Sequence, residues 1–181
     1  VNKLLALGIE PWISVGYGNK AYMPDVDVYG AVGWVPYYSG TAMKAWLKYV
    51  AKLAARYQGK VTYFEIWNEP WEKGMWVNDT PNPYDYAAFA IPTMKAMRAA
   101  NPGTKFVTGS VTLSDTALNF ARNFLDAGVA SHADVLCFHQ YARIPDDYYV
   151  SKVAKFREML TKYSRHITLW QGEGGAPSVK G

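Results

Sequence analysis

Five apolar extended runs, each divided from the next by a helical stretch, constrain this chain more than any other feature. They are Ile9 to Val15, Val61 to Trp67, Lys105 to Thr108, Asp134 to Phe138 and Ile167 to Gln171. After the first run and a long loop with prolines at Pro24 and Pro36, Thr41 can cap a helix. In it Met43, Trp46, Leu47, Val50, Leu53, Ala54 and Tyr57 repeat at helical spacing, and Lys44, Lys48, Lys52 and Arg56 form the opposite stripe. Tyr84 to Ala100, Ala117 to Ala127 and Val150 to Tyr163 read as further helices. A strand without a polar face must be covered on both sides, so the alternation reads as a parallel α/β sheet of right-handed βαβ units. A doubly wound sheet and a (β/α)8 barrel both satisfy it. No glycine-rich phosphate loop follows any strand, which argues against a nucleotide-binding doubly wound fold.

With 181 residues, half of them hydrophobic and 19% charged, residues 1–181 are expected to form a single domain around one sizeable core. The net charge of +4 is spread over helix faces without a basic cluster, so no nucleic-acid partner is expected. Cys137 is the lone cysteine and sits inside an apolar run, which reads as core and offers neither a disulfide nor a thiolate metal site. His132, His139 and His166 lack ligand spacing and Asp146-Asp147 reads as loop, so neither a metal nor a cofactor is expected. No apolar run reaches transmembrane length, so no membrane partner is expected either. The chain opens on Val1 rather than Met, and its compartment is not readable.

The chemistry lies where strands stop. The run Tyr63-Phe64-Glu65-Ile66-Trp67 ends in Asn68-Glu69-Pro70, and Pro70 cannot donate to a ladder, so Asn68 and Glu69 are left at the strand's carboxyl end. Ligands of parallel α/β folds bind at that end. A second carboxylate, Glu173, stands at the equivalent place two βα units later. Two such groups suit glycoside hydrolysis: one protonates the leaving oxygen, the other attacks or activates water. The charge of Glu173, with partial burial, is expected to strengthen the hold of Glu69 on its proton, making Glu69 the acid and Glu173 the nucleophile. Asn68 can bond a sugar hydroxyl beside the scissile carbon, and His139 and Tyr141, two residues apart, can orient Glu173.

These residues resemble the clan A glycoside hydrolases, whose fourth barrel strand ends in Asn-Glu-Pro and whose seventh ends in the nucleophilic Glu. Tyr17-Gly18-Asn19 with Tyr22, Trp67-Asn68-Glu69-Pro70, Pro83-Tyr84-Asp85-Tyr86 and Phe138-His139-Gln140-Tyr141 are similar to family 39 in particular, with family 5 next. The resemblance implies a retaining hydrolase of β-linked oligo- or polysaccharide, with Glu69 as acid/base and Glu173 as nucleophile. It further implies Asn68 on the 2-hydroxyl, Tyr141 as donor to the nucleophile, and Trp71, Trp76 and Tyr17 as sugar platforms. It implies no cofactor, and secretion or a periplasmic location. The five strands match the third to the seventh of a barrel that takes at least ~200 residues. The expected architecture is therefore a partial (β/α)8 TIM barrel of five parallel strands. The remaining strands would come from the rest of a longer chain or from another chain. The alternative expectation is a truncated barrel that binds carbohydrate without turnover.

Overall fold

The computed structural model describes residues 1–22, 30–76, 80–142, 144 and 148–176, so Pro24 and the pair Asp146-Asp147 lie outside the described residues. Six strands form one sheet: β1 Trp12–Val15, β2 Tyr63–Ile66, β3 Lys105–Thr108, β4 Val111–Thr112, β5 Val135–Tyr141 and β6 Thr168–Gly175. The helices are α1 Asn2–Ala6, α2 Gly30–Gly33, α3 Gly40–Arg56, α4 Pro83–Ala100, α5 Asp115–Asp126 and α6 Tyr149–Leu160.

Every pairing is parallel. β3 and β4 are two pieces of one strand position, since both pair with β5, through Val107↔Val135 and through Val111↔Phe138 and Thr112↔His139. After Thr108 the pairing with β5 is thus only interrupted, at Gly109-Ser110, before it resumes. Five strand positions follow one another in chain order, without the reversal that defines a doubly wound sheet. Curvature gives the same answer. In a flat sheet the four steps from β1 to β6, at ~4.8 Å each, would separate them by roughly 19 Å. Instead the Trp12 ring on β1 stacks on Trp170 of β6 with centroids 5.6 Å apart and planes 8° apart. The sheet is an arc of a (β/α)8 barrel, and these rings fill its lumen.

Alternation then divides the strand residues into two apolar layers. Trp12, Tyr63, Val107, Val135, Cys137 and Trp170 form the inner one, the floor of the lumen. Phe64, Ile66, Phe106, Leu136 and Phe138 face outward into the main core with Trp46, Phe89, Met94 and Phe124 from the helices. Fully burying one such side chain is worth ~1.5–3 kcal/mol.

The helix starts are set by side-chain caps. Ser39 Oγ accepts from the Ala42 amide at 3.3 Å, so Ser39, not Thr41, caps α3. Asn82 Oδ1 accepts from the Tyr84 amide at 2.9 Å and Pro83 takes the first helical position, while Ser114 caps α5. β6 extends to Gly175, four residues beyond the expected Gln171, so Glu173 lies within a paired strand rather than after it.

Candidate active site

The carboxyl end of β2 is shaped by backbone that few residues adopt. The Trp67 amide donates to the Val15 carbonyl at 2.8 Å, carrying the β1–β2 ladder one residue past the strand. The chain then turns through φ 69° at Trp67 and φ 42° at Glu69, and Tyr17, after β1, has φ 71°. Non-glycine residues in such conformations cost ~1–3 kcal/mol each and persist where their surroundings hold them. Here Trp67 is fully buried and its indole N–H donates to the Met75 carbonyl at 2.9 Å. Pro70 lies so close to Gly109 that a Cβ there would sit 2.7 Å from Pro70 Cδ. Tyr86, from α4, donates its hydroxyl to the Ile66 carbonyl at 3.0 Å and accepts from the Gly109 amide at 2.6 Å. One phenol thus satisfies the two strand-end groups that pairing leaves open.

A bulge sets the other side. Phe138 pairs with Gln171, but His139 pairs with Glu173, leaving Gly172 as the extra residue. Without that insertion Glu173 would oppose Gln140 and face away from the lumen, because a one-residue slip reverses every side chain beyond it. At the bulge a Cβ on Gly172 would meet Cys137 Sγ at 2.6 Å, so a larger residue there would force a shift of strand or thiol. Directly paired, His139 and Glu173 share a face.

The outcome is a convergent group. His139 Nδ1 lies 3.0 Å from Glu69 Oε1 and 3.6 Å from Glu173 Oε2. Tyr141 donates its hydroxyl to Glu173 Oε2 at 2.7 Å. Those two carboxylate oxygens can be no farther apart than the two His139 contacts end to end.

The cavity beside them, about 240 Å³, is lined by Trp12, Ser14, Tyr17, Glu65, Asn68, His139, Gly172 and Glu173. Of the residues expected from sequence, Glu69, Glu173, Asn68, His139, Tyr141 and Tyr17 meet at this end of the arc. Tyr17 is 49% exposed and also lines a larger cleft of about 490 Å³, with Tyr22, Trp34, Tyr38, Trp46 and Tyr49 among its walls. Trp71 is half-buried against the main core. Trp76 is a correction: at 1% exposure it packs edge-on against Trp67 and Tyr86 inside the core and presents no face to a sugar.

Glu65, absent from the residues expected from sequence, is 5% exposed in the cavity wall. Ser110 Oγ, from the break between β3 and β4, donates to Glu65 Oε1 at 2.6 Å. Burial pushes the Glu65 carboxyl above the usual range, while the Ser110 hydrogen bond and the neighbouring His139 pull it back. The available signal was a charged residue inside an apolar strand, an even number of positions before Glu69.

Glu65, Cys137 and His139 each bring a ligand-type atom within 4.8 Å of the others, the one such trio among the described residues. Burial pushes the Cys137 thiol up to about 12, opposite to the direction of a thiolate ligand. His132 and His166 precede β5 and β6, at the strand ends remote from His139. No described helix is long and apolar enough to cross a membrane.

No family model and no curated protein matches the chain. Solved structures do. The GH39 enzyme from Xanthomonas axonopodis pv. citri aligns with 98% of this chain at 19% identity and a TM-score of 0.66. A glucosidase from Croceicoccus marinus aligns with 99% at 16% identity and a TM-score of 0.68. Cel44A, a GH family 44 endoglucanase from Clostridium thermocellum, aligns with 96% at 12% identity and a TM-score of 0.63. The chain spans only 39%, 38% and 52% of these structures' own lengths. At such identities the shared property is the fold: a partial barrel whose structural neighbours are glycoside hydrolases.

Proposed function

We propose that this chain carries the two-carboxylate centre of a retaining glycoside hydrolase acting on β-linked oligo- or polysaccharide. The observation that carries the reading is the His139 imidazole, with Nδ1 3.0 Å from Glu69, just beyond β2, and 3.6 Å from Glu173 on β6, which brings two carboxyl groups from different parts of the chain together.

In the proposed double displacement Glu69 gives its proton to the glycosidic oxygen while Glu173 attacks the anomeric carbon. The C–O bond to the leaving group breaks, an ester to Glu173 forms and the leaving alcohol departs. Glu69, now ionised, takes a proton from water, whose oxygen attacks the same carbon and expels Glu173 as carboxylate. Asn68, in the cavity wall, suits a bond to the sugar hydroxyl next to the reacting carbon. Tyr141 donates to Glu173 at 2.7 Å and steadies its lone pairs for attack. Tyr17, half-exposed at the rim, is the aromatic that suits stacking on a sugar ring.

Release of an aryl alcohol from aryl β-glycosides tests the reading. Turnover by the parent chain and none by Glu173→Ala is the expected result; full activity in Glu173→Ala would end the nucleophile assignment. One observation favours a second reading, a saccharide-binding arc without turnover: among the described residues nothing pairs the outer edges of β1 and β6. Saccharide binding with no release of the aryl group would select it.

A further inference from the structure

The cavity that holds Glu173 and Asn68 has a larger neighbour, and Tyr17 stands in the walls of both. The Tyr17 backbone is held at φ 71°, and its ring meets the buried Trp67 edge-on with centroids 6.1 Å apart. The ring is therefore fixed along one edge while about half of the residue stays open to ligand. A ligand too long for the first space at Tyr17 meets the second.

The larger cleft lies between residues 16–22 after β1, the turn Pro36–Tyr38 and the first turns of α3. None of the described residues lining it carries a charge, so an anionic or cationic ligand would find no counter-ion there. Trp46, nearly buried, donates its indole N–H to Thr93 Oγ1 at 2.9 Å and offers the cleft only carbon. Tyr22, Tyr38 and Tyr49, by contrast, are exposed. Polar groups stand among the rings: Tyr38 donates to Asp85 Oδ2 at 3.1 Å, which leaves its oxygen free to accept from a ligand. Asn19 accepts from the Ala21 amide through Oδ1 at 2.9 Å, and its side-chain N–H groups remain to donate. Flat apolar faces edged by neutral hydroxyl and amide groups match the C–H faces and rim hydroxyls of a sugar ring.

We infer that this cleft is a second saccharide subsite, taking uncharged sugar units next to the one in the reacting cavity, so that the substrate is a chain bound across Tyr17. The inference deepens the proposed glycosidase reading and rests on it for the class of ligand. Relative size argues for a chain over a single glycoside. The cleft, about 490 Å³, has roughly twice the volume of the 240 Å³ cavity, so where the smaller takes one ring the larger has room for two.

Calorimetric titration of the full chain carrying Glu173→Ala, which removes the proposed nucleophile, tests the subsite. The probes are β-linked gluco-, xylo-, manno- and galacto-oligosaccharides of one, two and three units. In at least one series affinity is expected to rise tenfold or more from one unit to three. Tyr49→Ala and Tyr22→Ala, each added to Glu173→Ala, remove exposed rings of the cleft and are expected to lower trisaccharide affinity about tenfold, with monosaccharide affinity unchanged. Tyr49→Phe, which keeps the ring, is expected to retain most of the affinity. Should one of the alanine variants not fold, the other carries the test. No binding in any series, equal affinity at every length, or a gain with length that both alanine variants leave intact would overturn the inference. So would a phenyl β-glucoside that binds as tightly as the trisaccharide, since the cleft would then be an aryl pocket. Turnover of an aryl β-glycoside by the parent without a gain from length ends the subsite alone; the gain from length without turnover by the parent ends the glycosidase reading alone.

Discussion

β2, which delivers Glu69, and β6, which delivers Glu173, hold their carboxylates by different means. β2 is paired on both sides, by β1 and β3, and Phe64, Ile66 and Trp67 at its centre and end are fully buried. β6 pairs only with β5 among the described residues, and most of its length is exposed or half-exposed. The side chains follow suit: Glu69 is 21% exposed and Glu173 50%. The Glu69 side is positioned by the core, through the turn at Trp67, the Pro70–Gly109 contact and the Tyr86 hydroxyl. The other side is positioned by a bulge and two polar contacts. Substitutions around β2 should therefore change stability and chemistry together, whereas those around β6 should separate them.

The largest separation is expected at Glu173→Ala: hydrolysis of an aryl β-glycoside falls by ~10⁴-fold or more while the melting temperature stays within ~2 °C, because an exposed surface group is removed. A large loss of stability would place Glu173 in the core-held class and break the distinction. On the β2 side, Phe64→Ala is expected to cost ~3–5 kcal/mol by chemical denaturation, since the ring is fully buried under α4 and its loss leaves a cavity. Its counterpart on β6, the half-buried Leu169, should cost clearly less as Leu169→Ala. Equal costs would show β6 to be as firmly built as β2.

Gly172→Ala probes the bulge. The new Cβ would stand 2.6 Å from Cys137 Sγ, so strand or thiol must shift. A displacement of Glu173 by ~1 Å is expected to lower kcat by about 10²-fold. Tyr141→Phe is milder: it removes the 2.7 Å hydrogen bond to Glu173 from an exposed ring, with kcat expected to fall ~10-fold and the melting temperature unchanged. A drop in stability in Tyr141→Phe would tie the β6 side to packing after all.

The same contrast decides what could be read from sequence. Glu69 was legible because Pro70 ends a strand whose apolar run is unmistakable, and the parallel sheet follows from five such runs. Glu173 was legible as a residue type at a plausible place, but Gly172-Glu173-Gly174-Gly175 has no strand propensity. Its continuation in β6 and the bulge that turns Glu173 inward come from pairing with β5, which no local pattern encodes. His139 and Tyr141 were found by their spacing of two, yet the placement of His139 against Glu69 as well as Glu173 depends on barrel curvature. Trp76 shows the opposite failure: an aromatic in a long loop looks available to a ligand, and only tertiary packing against Trp67 and Tyr86 reveals it as core. Glu65 escaped notice because an apolar run hides which face of the strand looks into the lumen.

Glu65 also supplies the smallest and sharpest probe of the β2 side, through the pH dependence of stability. Burial raises its folded-state proton affinity above the unfolded value, with Ser110 and His139 offsetting part of the rise. The native state therefore binds this proton more tightly than the unfolded chain does. The resulting contribution to stability is fully present below the unfolded carboxyl pKa of ~4.3 and is lost as pH climbs through the folded one. Glu65→Gln, neutral at every pH, removes that loss. Thermal melts are expected to place the variant level with the parent near pH 4 and above it at pH 7, so that the parent gives up stability at working pH to keep a charged group beside His139. A variant less stable than the parent at pH 7 would mean that the ionised Glu65 is repaid in full by its surroundings, and β2 would then hold its acids at no cost to the core.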